Sequence, residues 1–181
     1  IGRLVAKKLS GFEVDIVVYD PYTPAEAIEA LGAKKVELED LLRNSDFISV
    51  HARLTAENKK MIGEKEIALM KPTAYFINTG RAGLIDQDAL AAALEQKRIM
   101  GAALDVFTTE PIPADSPFMT LDNVTLTTHI AGTTTDALTN SPYLLLEDVA
   151  KFLNEGDARF IVNRAVLEDE GFKAWVASVR K

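Results

Sequence analysis

Apolar residues cluster in short runs along most of the chain, at 14–19, 47–50, 74–77, 101–104 and 124–126, with a weaker one near Lys35-Val36. Most runs are nearly continuous rather than alternating, the pattern of strands buried on both faces. Between them, apolar positions three and four apart predict helices at 2–9, 24–31, 38–43, 64–70 and 86–97. The signals at their ends agree. Ser10-Gly11 stops the first. Thr23 and Pro24 suit the cap and first turn of the second, with Gly32 just past its end. Pro72 closes the fourth. Asp86 suits the cap of the fifth, which places Leu90, Ala93 and Leu94 on one face.

Strand and helix alternating in this way imply an α/β fold, a Rossmann-type doubly wound parallel sheet. The chain starts at Ile1 rather than at a methionine and opens directly on a helical pattern. The expectation is a chain without its natural N-terminus, the first strand of the sheet lying upstream. After Gly132 the strands stop. Helices are expected at 134–139 and 142–154, with a break at Ser141-Pro142, then a loop at 155–157. A last helix at 171–181 would align Phe172, Trp175 and Val179. Residues 1–133 are thus read as one domain, incomplete at its N-terminus, and 134–181 as a helical segment.

Composition narrows the function. A net charge of −7 over 181 residues disfavours a nucleic-acid partner. No apolar run approaches the ~18 residues of a membrane span. There is no cysteine, which removes disulfides, thiolate metal sites and cysteine nucleophiles, fits a reducing compartment and makes cytoplasm the expected location. No metal is expected.

In an open parallel sheet, ligands bind beyond the carboxyl ends of the strands. A polar residue follows each main run there: Asp20, His51, Arg81, Asp105 and His129, including both histidines of the chain. Asp20 follows Gly2 by eighteen residues, the placement of the acidic residue that binds adenosine ribose hydroxyls in NAD-binding folds; an Asp-Pro turn starter is the other reading. Gly2 suits the last glycine of a dinucleotide fingerprint, or simply a helix start. Reduction of a 2-oxo acid needs a carboxylate clamp and a proton donor that works near neutral pH. Arg81 offers a bidentate fork and His129 an imidazole. Glu110, in a loop with Pro111, Pro113 and Pro117, offers a carboxylate to stabilise an imidazolium. Singly, these residues also read as a solvated charge, a structural histidine and an ordinary loop dipeptide.

Four segments carry a further pattern: Asn78-Thr79-Gly80-Arg81-Ala82-Gly83-Leu84-Ile85-Asp86, Gly101-Ala102-Ala103-Leu104-Asp105-Val106-Phe107, Glu110-Pro111 and His129-Ile130-Ala131-Gly132. In order and spacing they resemble the D-isomer-specific 2-hydroxyacid dehydrogenases, over roughly residues 1–163. The resemblance implies an NAD-dependent oxidoreductase acting on a small-molecule 2-hydroxy or 2-oxo acid, a homodimer when full length. It implies Arg81 on the substrate carboxylate, His129 as acid and base, and Glu110 as its partner. It also implies Asp105 on the nicotinamide carboxamide, Asp20 on the ribose, and Gly2, His51, Thr79, Gly80, Ala131 and Gly132 around the cofactor. Arg53 and Ala82 stand where the family more often has proline and glycine. Most of the family's substrate domain precedes its NAD domain and is not in this chain. An NAD-responsive binding protein, like the corepressors that resemble this family, is the alternative reading.

Overall fold

A computed structural model describes residues 1–179. It divides the chain into two compact units, the first Ile1–Ala131 and the second beginning at Gly132.

The first unit contains α1 (Gly2–Leu9), β1 (Val17–Val18), α2 (Ala25–Glu29), β2 (Lys34–Lys35), α3 (Leu38–Asn44), β3 (Phe47–Val50), α4 (Glu64–Ile67), β4 (Tyr75–Asn78), α5 (Gln87–Glu95), β5 (Gly101–Leu104) and β6 (Val124–Leu126). All strand pairing is parallel, as the alternation required. The strands form two groups, β1–β2 and β3–β4–β5–β6.

The four-stranded group holds the core. Ile48, Phe76, Ala102 and Leu104 turn to one face and are buried against Leu42 of α3, Ile67 of α4 and Leu90 and Leu94 of α5. Alternate residues occupy the other face, where Phe47 is 70% and Tyr75 43% exposed, their rings stacked 5.6 Å apart. The expected burial on both faces is therefore met on one only.

Local chemistry explains most helix ends. Asp86 caps α5, accepting the Ala89 N–H as expected. Glu66 reaches back to the Gly63 N–H at the start of α4. Thr23 does not cap α2; Pro24 takes that position, and the Thr23 hydroxyl instead donates to Asp20. The first apolar run is strand only at Val17–Val18, where it pairs with β2.

In the second unit one helix, α6 (Thr135–Glu155), runs through Pro142 without the expected break, and α7 (Glu170–Val179) follows. Thr134 caps α6 through the Ala137 N–H. Proline removes a single ladder hydrogen bond, to the carbonyl of Leu138, and Leu138 lies on an exposed turn where water can serve that carbonyl. Arg180 and Lys181, the end of the expected last helix, lie outside the described residues. Among the described residues no helix is long and apolar enough to cross a membrane.

Phe76 has no exposed surface and sits at the centre of the covered face. Phe76→Ala is expected to destabilise the intact protein by about 3–5 kcal/mol, measured by denaturant unfolding followed by circular dichroism.

Candidate active site

The strand register brings the site together. Val50 pairs with Asn78 and Asn78 with Leu104, while Leu104 pairs with Leu126. The next residue on each strand is His51, Thr79, Asp105 and Thr127, so four strands end on one line. Arg81 leaves β4 three residues past that pairing and His129 leaves β6 three residues past it. β4 and β6 are two strand spacings apart, about 10 Å. A guanidinium and an imidazole rising from them can face a small molecule placed over β5.

At the end of β5, Asp105 is 2% exposed. Its Oδ1 accepts the Thr127 hydroxyl at 2.5 Å and the Ile130 N–H at 2.9 Å, and its Oδ2 accepts the Ala131 N–H at 3.0 Å. Burial pushes the carboxyl up, but the Thr127 hydroxyl, the two amides and the charge of His129 outweigh it and hold Asp105 below its ordinary value of 3.8. These bonds bracket His129, whose φ of 59° lies in the left-handed region. That conformation costs a non-glycine residue about 1–2 kcal/mol, which the buried bonds on both sides offset.

The His129 side chain is held separately. Its Nδ1 lies 2.8 Å from Glu110 Oε2, while Glu110 Oε1 accepts the Phe107 N–H at 2.9 Å. These two bonds, with that to His129 the stronger influence, keep the Glu110 carboxyl below its usual range. An ionised carboxylate only accepts hydrogen bonds, so the proton between the pair belongs to Nδ1. Nε2 is left as the atom that can exchange a proton with a ligand. The segment that leads from β5 to Glu110 is fastened by Gln87, which donates to the Val106 carbonyl and accepts from the amide and hydroxyl of Thr108.

Arg81 is exposed, with Nη1 donating to the Gly80 carbonyl at 2.8 Å. A guanidinium has five N–H donors, so most of the fork remains for a ligand. Gly80 crosses close to β3: a Cβ there would lie 3.2 Å from the Val50 carbonyl oxygen.

The other expected residues divide. At the start of α1 a Cβ on Gly2 would lie 3.3 Å from Cβ of His51, so helix and strand end approach closely where a side chain would intrude. The His51 ring bonds Ser49 at 3.0 Å, and burial pushes it below its ordinary value. Asp20 stands on the separate β1–β2 pair. It makes the turn that Asp-Pro allowed, accepting the amides of Tyr22 and Thr23 and the Thr23 hydroxyl. Burial raises its carboxyl, and those three bonds together with Lys35 bring it below the ordinary value. Gly132 is the first residue of the second unit. A close helix–strand approach at a glycine and an ionised carboxylate beyond β1 are what a dinucleotide requires, so these residues fit NAD.

Sequence reasoning missed three contributors: Asn78, Thr127 and Gln87. Thr127 follows its apolar run directly, and the rule that selected Asp105 and His51 selects it too. Gln87 gave no signal, because its partners lie nineteen and twenty-one residues away.

A family model described as the NAD binding domain of D-isomer specific 2-hydroxyacid dehydrogenases matches residues 1–131. The chain is 40% identical over 171 residues to a D-3-phosphoglycerate dehydrogenase of Methanocaldococcus jannaschii, covering 94% of this chain and 32% of that protein. It is 42% identical over 167 residues to a glyoxylate reductase of Thermococcus litoralis, covering 92% and 50%. A D-isomer specific 2-hydroxyacid dehydrogenase from Lactobacillus delbrueckii, solved in its NAD-complexed form, superposes with a TM-score of 0.81 at 31% identity, over 90% of this chain and 53% of that one. The chain thus spans between a third and about half of the length of these relatives.

Asp105→Asn places an NH₂ group or a weaker acceptor against donors that a carboxylate satisfies. It is expected to lower stability at pH 7 by about 1–3 kcal/mol. Because the folded-state value of Asp105 is depressed, its contribution is fully present above the unfolded value near 3.8 and is lost as pH falls through the lower folded value. The difference in melting temperature between parent and variant should therefore hold from pH 7 down to about 4 and narrow only as pH falls below that; a gap that does not narrow on further acidification would show that charge is not what Asp105 supplies.

Proposed function

Because this chain belongs to the D-isomer specific 2-hydroxyacid dehydrogenase family, we propose that it supplies the cofactor-binding and proton-transfer parts of an enzyme interconverting 2-hydroxy and 2-oxo acids. The observation that carries the reading is the 2.8 Å contact between His129 Nδ1 and Glu110 Oε2. It fixes the tautomer and leaves Nε2 for the reacting oxygen.

When bound, NAD supplies hydride transfer at its nicotinamide ring. Gly2 and His51, with the backbone of Thr79, Gly80 and Ala131, would hold it. Asp20 would accept hydrogen bonds from the ribose, with its charge disfavouring a 2′-phosphate. Asp105 Oδ2 accepts one bond from Ala131 and retains capacity for a carboxamide N–H.

Arg81 binds the substrate carboxylate by two parallel N–H bonds and so orients the 2-oxo group toward His129. In reduction, as the carbonyl carbon gains the hydride, the carbonyl oxygen takes the proton from Nε2 of the imidazolium, and His129 is left neutral. Glu110 stabilises the imidazolium before that transfer. In oxidation neutral His129 takes the hydroxyl proton through Nε2, and the developing charge is again balanced by Glu110.

Two measurements on the intact protein test this. His129→Ala is expected to lower kcat by about 10²–10⁴-fold for whichever of glyoxylate, pyruvate and hydroxypyruvate is reduced fastest, with the Kd for NADH unchanged by fluorescence titration; parallel loss of NADH binding would make His129 a scaffold residue. Asp20→Ala is expected to shift kcat/KM toward NADPH relative to NADH, and an unaltered ratio would remove Asp20 from the cofactor site.

A further inference from the structure

Asn78 is the last residue of β4 and has no exposed surface. A buried carboxamide at a strand end needs partners for its own donor and acceptor. Asn78 finds both in the turn that follows. Its Oδ1 accepts the Gly80 N–H at 3.0 Å and its Nδ2 donates to the Arg81 carbonyl at 3.1 Å. One side chain therefore fixes the peptide before Gly80 and the peptide after Arg81. Between those two points lies the Gly80 carbonyl, which receives the Arg81 guanidinium at 2.8 Å. The backbone of Asn78 is itself anchored, its carbonyl accepting the Asp105 N–H at 3.0 Å.

We propose that Asn78 is a positioning residue that aims Arg81 at the substrate carboxylate. The inference rests on the assignment of Arg81 made above. A bidentate clamp demands angular accuracy, and Arg81 is an exposed, long side chain with many rotamers. A rigid base and one internal bond to Gly80 reduce that freedom before a ligand arrives. Asn78 touches neither cofactor nor substrate in this role; it acts through the turn. On its other side the turn lies close to β3, where a Cβ on Gly80 would come 3.2 Å from the Val50 carbonyl oxygen.

The test is a double-mutant cycle in the intact protein, with the 2-oxo acid of the panel above that is reduced fastest. Asn78→Ser should raise its KM about tenfold, a misalignment cost of the size of one tenfold step in binding, with kcat changed less than the KM. The Kd for NADH should stay within about twofold. In an Arg81→Ala background the same Asn78→Ser change should add no further rise in KM. An equal rise with and without Arg81 would overturn the inference, as would a fall in NADH affinity matching that in KM. Asn78→Asp, which keeps the acceptor for Gly80 and loses the donor to Arg81, should show the same KM-specific signature. If neither variant folds, the carboxamide is a stability element and the inference fails. An Arg81→Ala protein with unchanged KM would instead refute the assignment of Arg81, and this inference with it.

Discussion

A single buried carboxylate governs this molecule. Asp105 sits between β4 and β6, and its two oxygens gather a hydroxyl and two amides from the segment carrying His129. Without these bonds a histidine has little reason to stay at a φ of 59°, and its ring would lose its approach to Glu110. The cost of burying the charge is met by three directed donors, the condition under which a buried carboxylate remains ionised. The same residue reaches back to β4, because its own N–H bonds the Asn78 carbonyl. The arginine turn and the histidine segment are thus tied to neighbouring strand ends by buried polar side chains, while both chemical groups stay exposed.

This division of labour separates rigidity from reactivity. Glu110 and His129 are each partly open to solvent, with side-chain exposures of 37% and 49%. Their geometry comes from elsewhere: from the Phe107 amide, from Gln87 fastening the segment after β5, and from Asp105. A substrate can reach the imidazole, yet the imidazole is not free to choose its tautomer. Such arrangements lower the reorganisation needed when charge moves, which is where fixed dipoles help most.

Much of this was legible in the residue order. The strand ends came from apolar runs, and Asp105, Arg81 and His129 from the residues that follow them. The parallel register then placed them on one edge. The pairing of Glu110 with His129 was anticipated from chemistry, and the structure gives it a length. Other features depended on contacts that no local pattern carries. The site served by Thr23 was misjudged because its hydroxyl had a closer use at Asp20. The single helix through Pro142 shows a local penalty outweighed by the hydrogen bonds on either side. The strand at Val17–Val18 came out shorter than its apolar run because pairing, not hydrophobicity alone, sets strand length.

The division of the sheet has a consequence for how the protein loses its abilities. β3 to β6 pair in chain order over a shared core, so the block opens as one cooperative body. β1 and β2 are two residues each and carry Asp20 at their edge. Within the four-stranded block, arginine, glutamate and histidine therefore stay in register or are lost together.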